Sequence, residues 1–204
     1  MNDLPLSSAL DEETARAELY GLLAALFYAP PAPELLAQLR LAPTEAPSAG
    51  AYLEEPWRVL VGAARAASDT AIQDEFDALF GGVGKPAVSV YGSEYLSGFL
   101  NEKPLAALRA DLDRLGLARD PAMPETEDHF ACLCEVMRYL IAGEDVEVSN
   151  LAQQQTFFAR HLQPWADRMC DALESQPQAR FYAALAGFTR AFIAIEAQGF
   201  DLLD

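Results

Sequence analysis

Nearly every stretch of this chain repeats its apolar residues at intervals of three and four, and that 3.6-residue period limits the fold more than any other feature. Ala15, Leu19, Leu22, Leu23 and Leu26 make one such stripe. Asp11 can cap their helix, which runs through Tyr28 until Pro30, Pro31 and Pro33 end it. A short helix over 34–41, a Pro/Ser/Gly-rich connector over 43–50 and a helix over 52–67 follow. Ser68 can cap a helix over 69–80 whose first turn holds Asp69, favourable against the helix dipole, and Gly81 and Gly82 stop it.

Residues 81–90 form the one long break in the middle, with Gly81, Gly82, Gly84 and Pro86. Beyond it the period predicts helices over 93–100 and 104–116, the second ended by Gly116. Residues 117–124 form a loop. Glu125 or Thr126 then opens a helix that reaches Ile141 and stops at Gly143, with Phe130, Leu133, Met137, Leu140 and Ile141 on its apolar stripe. Ser149 can cap the next helix, through His161; Pro164 suits the first turn of another, ending near Glu174. Phe181, Leu185, Phe188, Phe192 and Ile195 mark the last. Val88 and Val90 are too few for a strand. The expectation is an all-α chain, one compact bundle of nine to ten helices. It has an N-terminal portion over 1–80, a hinge loop over 81–90 and a C-terminal portion over 91–204. Helical halves can exchange between protomers at such a loop, so the expected state is a monomer or a domain-swapped dimer.

Half of the 204 residues are hydrophobic, enough for a sizeable core. Against 14 basic residues stand 31 acidic ones, a net charge of −17. That argues against nucleic acid and against anionic membrane surfaces, and it suits a basic ligand such as an arginine-containing peptide. Of the three cysteines, Cys132 and Cys134 lie two apart on a helix and so on different faces, which reads as buried thiols. The start at Met1 carries no basic segment followed by an apolar one, and no apolar run approaches the ~20 residues of a membrane span. The expected location is the cytoplasm, without stable membrane insertion.

Gly81-Gly82-Val83-Gly84-Lys85 invites a phosphate-loop reading and fails it. Leu79 stands where the first glycine belongs, Pro86 stands where magnesium needs Ser or Thr, and a helix precedes the motif. Glu125 and His129, four apart, would share a helix face and could begin a metal site, but no further ligand is spaced to complete one. Alternatively Glu125, Glu127 and Asp128 crowd a helix start, where carboxylates satisfy unpaired amides. His129 has no nucleophile motif or partner base that would make it catalytic. The residues therefore point to a binding protein with no catalytic residue, metal or cofactor. Phe76, Phe80, Tyr91, Tyr95 and Phe99 flank the central loop. Helical spacing makes Phe76 and Phe80 core residues, and the position beside the loop also permits a groove wall. Aromatic and acidic groups together suit a peptide with apolar and arginine residues.

Several segments stand in a set order: Tyr91-Gly92-Ser93-Glu94-Tyr95-Leu96, Lys103-Pro104-Leu105 with Leu108-Arg109, Glu125-Thr126-Glu127-Asp128-His129-Phe130, Gln154-Gln155 and His161-Leu162-Gln163-Pro164-Trp165. Across roughly residues 79–192 this order resembles the TorD/DmsD family, chaperones that mature molybdenum-containing redox enzymes. Glu125, Asp128 and His129 match the family's E-P-x-D-H motif, with Thr126 in place of Pro. Tyr91, Ser93, Tyr95 and Leu96 match its Tyr-x-Ser-x-Tyr-Leu segment, and Leu79, Phe80 and Gly81 its Leu-Phe-Gly. Glu135 matches a later glutamate, and Leu133 stands where an acidic residue is usual.

The resemblance implies a TorD-like helical fold and a cytoplasmic chaperone. Such a chaperone binds the twin-arginine leader, the apo form, or both, of a molybdopterin oxidoreductase subunit. It assists cofactor insertion and prevents premature export. The implied peptide-binding residues are Phe76, Leu79, Phe80, Tyr91, Ser93, Tyr95, Glu125, Asp128 and His129. Guanine nucleotide, bound by some relatives, has no motif here. Two other readings stand beside this one: a helical regulatory or scaffolding protein with a folded partner, and a metal-dependent enzyme centred on His129.

Overall fold

The apolar stripes become ten helices in a computed structural model that describes residues 5–44, 52–81, 85–100 and 103–202, with the backbone alone over 5–11. They are α1 Pro5–Tyr28, α2 Pro33–Leu41, α3 Glu54–Ala66, α4 Asp69–Phe80, α5 Gly92–Ser97, α6 Lys103–Arg114, α7 Phe130–Ala142, α8 Leu151–His161, α9 Gln163–Glu174 and α10 Phe181–Asp201. No strand forms among the described residues; one isolated antiparallel bridge joins Tyr91 and His129. The all-α expectation holds. Residues 45–50 of the expected connector, and Gly82 and Gly84 of the central loop, lie outside the described residues.

Besides α5, which stops at Ser97 instead of 100 because Gly98 turns left-handed at φ 82°, three boundaries differ from the sequence reading. α1 starts at Pro5, six residues before Asp11, because Pro fits a first helical turn and nothing between them breaks the period. α8 is capped by Asn150, whose side chain accepts from Gln153 N at 3.1 Å, while Ser149 Oγ donates to Tyr139 O at 3.0 Å. That hydroxyl crosses Gly143 so closely that a Cβ there would lie 2.2 Å from it. The third difference matters most for function. α7 begins at Phe130, with His129 as its cap, so residues 125–128 precede the helix instead of opening it.

The helices group into two compact units. One comprises residues 1–28 and 91–164, the other residues 29–90 and 165–204; the chain passes between them at 28/29, 90/91 and 164/165. In the first unit, α1 and α7 make the most extensive packing of any helix pair, and α8 packs against α7. Phe27 and Phe130 meet edge to face at 5.0 Å, both buried, next to buried Leu23, Leu26, Leu133 and Met137. Gly116, at φ 69°, reverses the chain after α6 in a backbone conformation that a side chain would strain.

In the second unit, α10 packs on α3 and α4, and α2 on α3. Trp57 meets Phe188, and Tyr182 meets both Phe76 and Phe80. Two side chains finish the helix ends. Arg40 donates to Ala64 O and Ala67 O at 2.7 and 2.9 Å, satisfying carbonyls at the end of α3, and pairs with Asp69 at 2.6 Å. Glu75, from α4, accepts from the N–H groups of Arg180, Phe181 and Tyr182 at 2.8, 3.2 and 2.7 Å, capping α10 from 105 residues away. Charge-assisted bonds to three otherwise unpaired amides predict that Glu75→Ala lowers the unfolding free energy by about 2 kcal/mol. Urea titration of both proteins measures this; unchanged stability would mean that water serves those amides equally well.

Candidate functional site

The segment 125–129 is shaped by what it binds in its own unit. The Asp128 carbonyl accepts from Gly92 N at 2.9 Å, and Asp128 Oδ2 accepts from Ser93 N at 2.9 Å. Its other oxygen accepts from Thr126 Oγ1 at 2.6 Å. Asp128 thus satisfies the first amides of α5, a helix 35 residues upstream. The expected capping role is real, but it serves another helix. Held in this way, residues 125–128 are kept out of helical geometry, and α7 must begin after them.

His129 takes over the start of α7. Its Nδ1 accepts from Ala131 N at 3.1 Å, so the ring is the neutral tautomer with the proton on Nε2. Tyr91 stands edge-on to the ring at 5.1 Å and Tyr28 at 6.0 Å. Asp128 and His129 are each only 4% exposed. Burial pushes the His129 pKa down to about 4, against the pull of Glu125 and Asp128. The Tyr91 hydroxyl donates to Glu125. Burial first, and then this bond and the charge of Glu125, push the Tyr91 phenol well above its ordinary value. Glu125 and His129 share no helix face.

A pocket of about 370 Å³ opens beside this cluster, and its lining belongs wholly to the first unit. Ala24, Ala25 and Tyr28 of α1 form one wall; Ala131, Cys132, Glu135 and Val136 of α7 form another. Leu112 of α6 and the loop through Leu117, Arg119, Met123 and Glu127 complete it. Cys132 Sγ lies 3.6 Å from Met123 Sδ, and burial pushes its thiol up to about 11, which leaves it protonated and unreactive. The polar atoms sit on the loop side. Arg109 Nε and Nη2 both donate to Glu127 Oε2, at 3.0 and 2.9 Å. Arg119 stands 3.8 Å from Glu127 Oε1 and donates to the carbonyls of Met123 and Glu125. Burial alone would raise the Glu127 carboxyl, but the Arg109 bond and both guanidinium charges hold it below the usual carboxylate range.

A family model described as nitrate reductase delta subunit matches residues 46–171. The chain belongs to that family. It is also 27% identical to a protein from Aliivibrio fischeri described as chaperone protein TorD, over 97% of this chain and 98% of that one. A Haemophilus influenzae protein of unassigned function is 31% identical over 62% of this chain and 60% of its own length. The resemblance to the TorD/DmsD chaperones therefore holds. This family member shows no group of three or more His, Cys, Asp and Glu gathered as a metal ion would require among the described residues. No helix of the described chain is long and apolar enough to cross a membrane.

The nine residues expected to bind peptide fall in both units. Tyr91, Ser93, Tyr95, Glu125, Asp128 and His129 belong to the first. Of these, Ser93, Asp128 and His129 are buried, while Tyr91, Tyr95 and Glu125 are half-buried. Phe76, Leu79 and Phe80 belong to the second unit, where Phe76 and Leu79 are buried and Phe76 and Phe80 pack on each other and on Tyr182. Phe99 is 70% exposed at the end of α5. Sequence reasoning missed Arg119, Glu127 and the α1 wall at Ala24, Ala25 and Tyr28. One signal was present: Leu117 and Met123 are apolar residues inside the 117–124 loop.

The buried histidines set a pH dependence. His161 lies 2.7 Å from Asp111, and burial with the charges of Arg160 and Arg114 pushes its pKa down to about 4. Both rings are neutral in the fold, whereas the unfolded chain protonates near the ordinary value of 6.5. Between about 6.5 and about 4 the unfolded chain holds more protons, so stability falls as pH falls through that window. His129→Asn keeps an acceptor for Ala131 N but removes that proton uptake. Urea unfolding at pH 7 and pH 5 should show a smaller loss on acidification for this variant than for the parent; an equal loss would rule out a contribution from His129.

Proposed function

We propose that this chain is a maturation chaperone that binds the twin-arginine leader, the apo form, or both, of a molybdopterin oxidoreductase subunit in the cytoplasm. It would hold that client until its cofactor is inserted and so delay export. The reading needs recognition and no catalysis. The observation that carries it is the pairing, within one compact unit, of a 370 Å³ apolar pocket with a carboxylate-bearing loop. Leader peptides of this class present arginines beside an apolar stretch, and such a peptide needs both features at once. Membership of the nitrate reductase delta subunit family, and the TorD chaperone among the relatives, support the same assignment.

In this reading Asp128 and His129 act mainly from behind. Asp128 fixes the loop to α5, and His129 fixes the rings of Tyr28 and Tyr91, so that Glu125, Glu127 and the pocket wall keep their places. Tyr91, Tyr95 and Glu125 remain partly accessible for direct contact. Phe76, Leu79 and Phe80 belong to the second unit, where Phe76 and Phe80 pack on Tyr182. Residues 81–90 are the proposed hinge at which protomers could exchange halves.

A leader peptide titrated calorimetrically should bind, and bind less tightly as salt rises, because a net charge of −17 attracts a cationic peptide over a range of ~10 Å at 0.1 M salt. Ala25 lines the pocket from an exposed position on α1, so Ala25→Trp fills the pocket at little cost to the fold. That variant should weaken binding about tenfold or more, the scale of losing one buried apolar side chain from an interface. Absence of binding even at low salt would overturn the proposal. Full affinity in the Ala25→Trp protein would move the leader elsewhere.

A further inference from the structure

We infer that Glu127 and the apolar pocket behind it form the seat for one arginine and a neighbouring apolar side chain of the leader, and that Arg119 occupies the charged half of this seat in the free protein. The inference rests on the leader-binding reading above and names the subsite within it.

The two oxygens of Glu127 are used unequally. Oε2 takes two donors from Arg109, at 3.0 and 2.9 Å, and is fully engaged. The guanidinium beside Oε1 is that of Arg119, at 3.8 Å, beyond hydrogen-bond distance, and the carboxylate is also bonded by the amide of its own residue. A carboxylate that is 14% exposed and flanked by apolar walls can form a strong bond with a guanidinium, because little water competes. Yet Arg119 does not make that bond. Its Nη1 is drawn away to the carbonyls of Met123 and Glu125, on the same loop. The result is a guanidinium tied to the loop carbonyls and standing beside Glu127 without bonding to it, on the lining of a cavity with room for a side chain.

A second observation favours an arginine as the occupant. Each of the other carboxylates of the adjoining segment has at least one oxygen engaged, and Asp128 has both. Asp128 accepts from Ser93 N and Thr126, and Glu125 accepts from Tyr91. Asp120 accepts from Ala122 N, and Glu135 pairs with Arg138. Glu127 Oε1 is singled out by the unbonded guanidinium beside it, and an entering cation can reach it without dismantling the Asp128 tether. Alanines at 24, 25 and 131 leave the volume next to it empty and apolar. An arginine could swing its head to Glu127 while the following apolar residue fills that volume. Arg119 must move aside first, so it competes with the ligand and thereby sets affinity.

The test compares the parent protein, Arg119→Gln and Arg119→Gln with Glu127→Gln. Each is titrated with the leader peptide and with the same peptide bearing glutamine in place of both arginines. Removing an internal competitor for one charge-assisted bond should tighten binding of the arginine peptide about five- to tenfold in the single variant. The glutamine peptide should show no such gain, and the double variant should lose it. Arg58→Gln, at an exposed residue that does not line the pocket, changes net charge equally and should leave affinity within about twofold, since net charge alone is screened. Thermal melts confirm that the variants are folded. Unchanged or weaker binding of the arginine peptide to Arg119→Gln overturns the inference while leaving leader binding intact. An equal gain for both peptides also overturns it, because Arg119 would then be only a lid. If no protein binds either peptide, the leader reading falls and takes the inference with it.

Discussion

Asp128 joins two stretches of chain that would otherwise have no reason to meet. Its carbonyl and one carboxylate oxygen hold the first amides of α5, and its other oxygen holds Thr126. Once those bonds form, residues 126–129 make a turn closed by His129 N donating to Thr126 O at 3.0 Å, α7 begins at Phe130, and His129 serves as its cap. The imidazole then lies between Tyr28 and Tyr91, and the hydroxyl of Tyr91 meets Glu125. The loop wall of the pocket, with Met123 and Glu127, follows from the same anchoring. A buried carboxylate that receives several donors can tolerate burial, and here it fixes local geometry that apolar packing alone would leave open.

Much of the fold was legible because most of it is local. Ser68 caps α4 by accepting from Ala71, three residues on, and the sequence pattern contains both partners. Gly116 ended its helix where expected because its left-handed backbone is a local matter, and Gly143 did so too, although the side chain that crosses it, Ser149, lies six residues on. Legibility failed where a partner is distant. Nothing near Glu75 says that it will cap α10, and nothing near Asp128 says that its amides belong to α5. Of the acidic residues before Phe130 only Asp128 caps, and it caps α5 instead of the adjacent helix expected from the sequence, where adjacency is the only geometry displayed.

The site was legible to a different degree. Tyr91, Glu125, Asp128 and His129 were singled out from motif and spacing, and the first unit does bring them together. The pocket was not, since its walls are surfaces of α1, α6 and α7 that become one cavity only after packing. Alanine at 24, 25 and 131 carries no chemical signal in a sequence; in the fold those small side chains define the empty volume. Arg119 was equally silent, because a lone arginine in a loop acquires meaning only from the carbonyls and carboxylate that surround it.

The division of the chain also bears on how this protein comes to exist. Each compact unit is assembled from two stretches far apart in sequence, and α1 finds its main partner in α7, more than a hundred residues later. During synthesis the amphipathic α1 leaves the ribosome long before α7 can cover it, and α10 arrives last to claim Glu75. Pairings at such separation are slow to form because a long loop must close first. Neither unit can be completed from the first ninety residues alone. A protein of this design spends its own biogenesis with an apolar stripe uncovered, the condition in which newly made chains depend most on outside help.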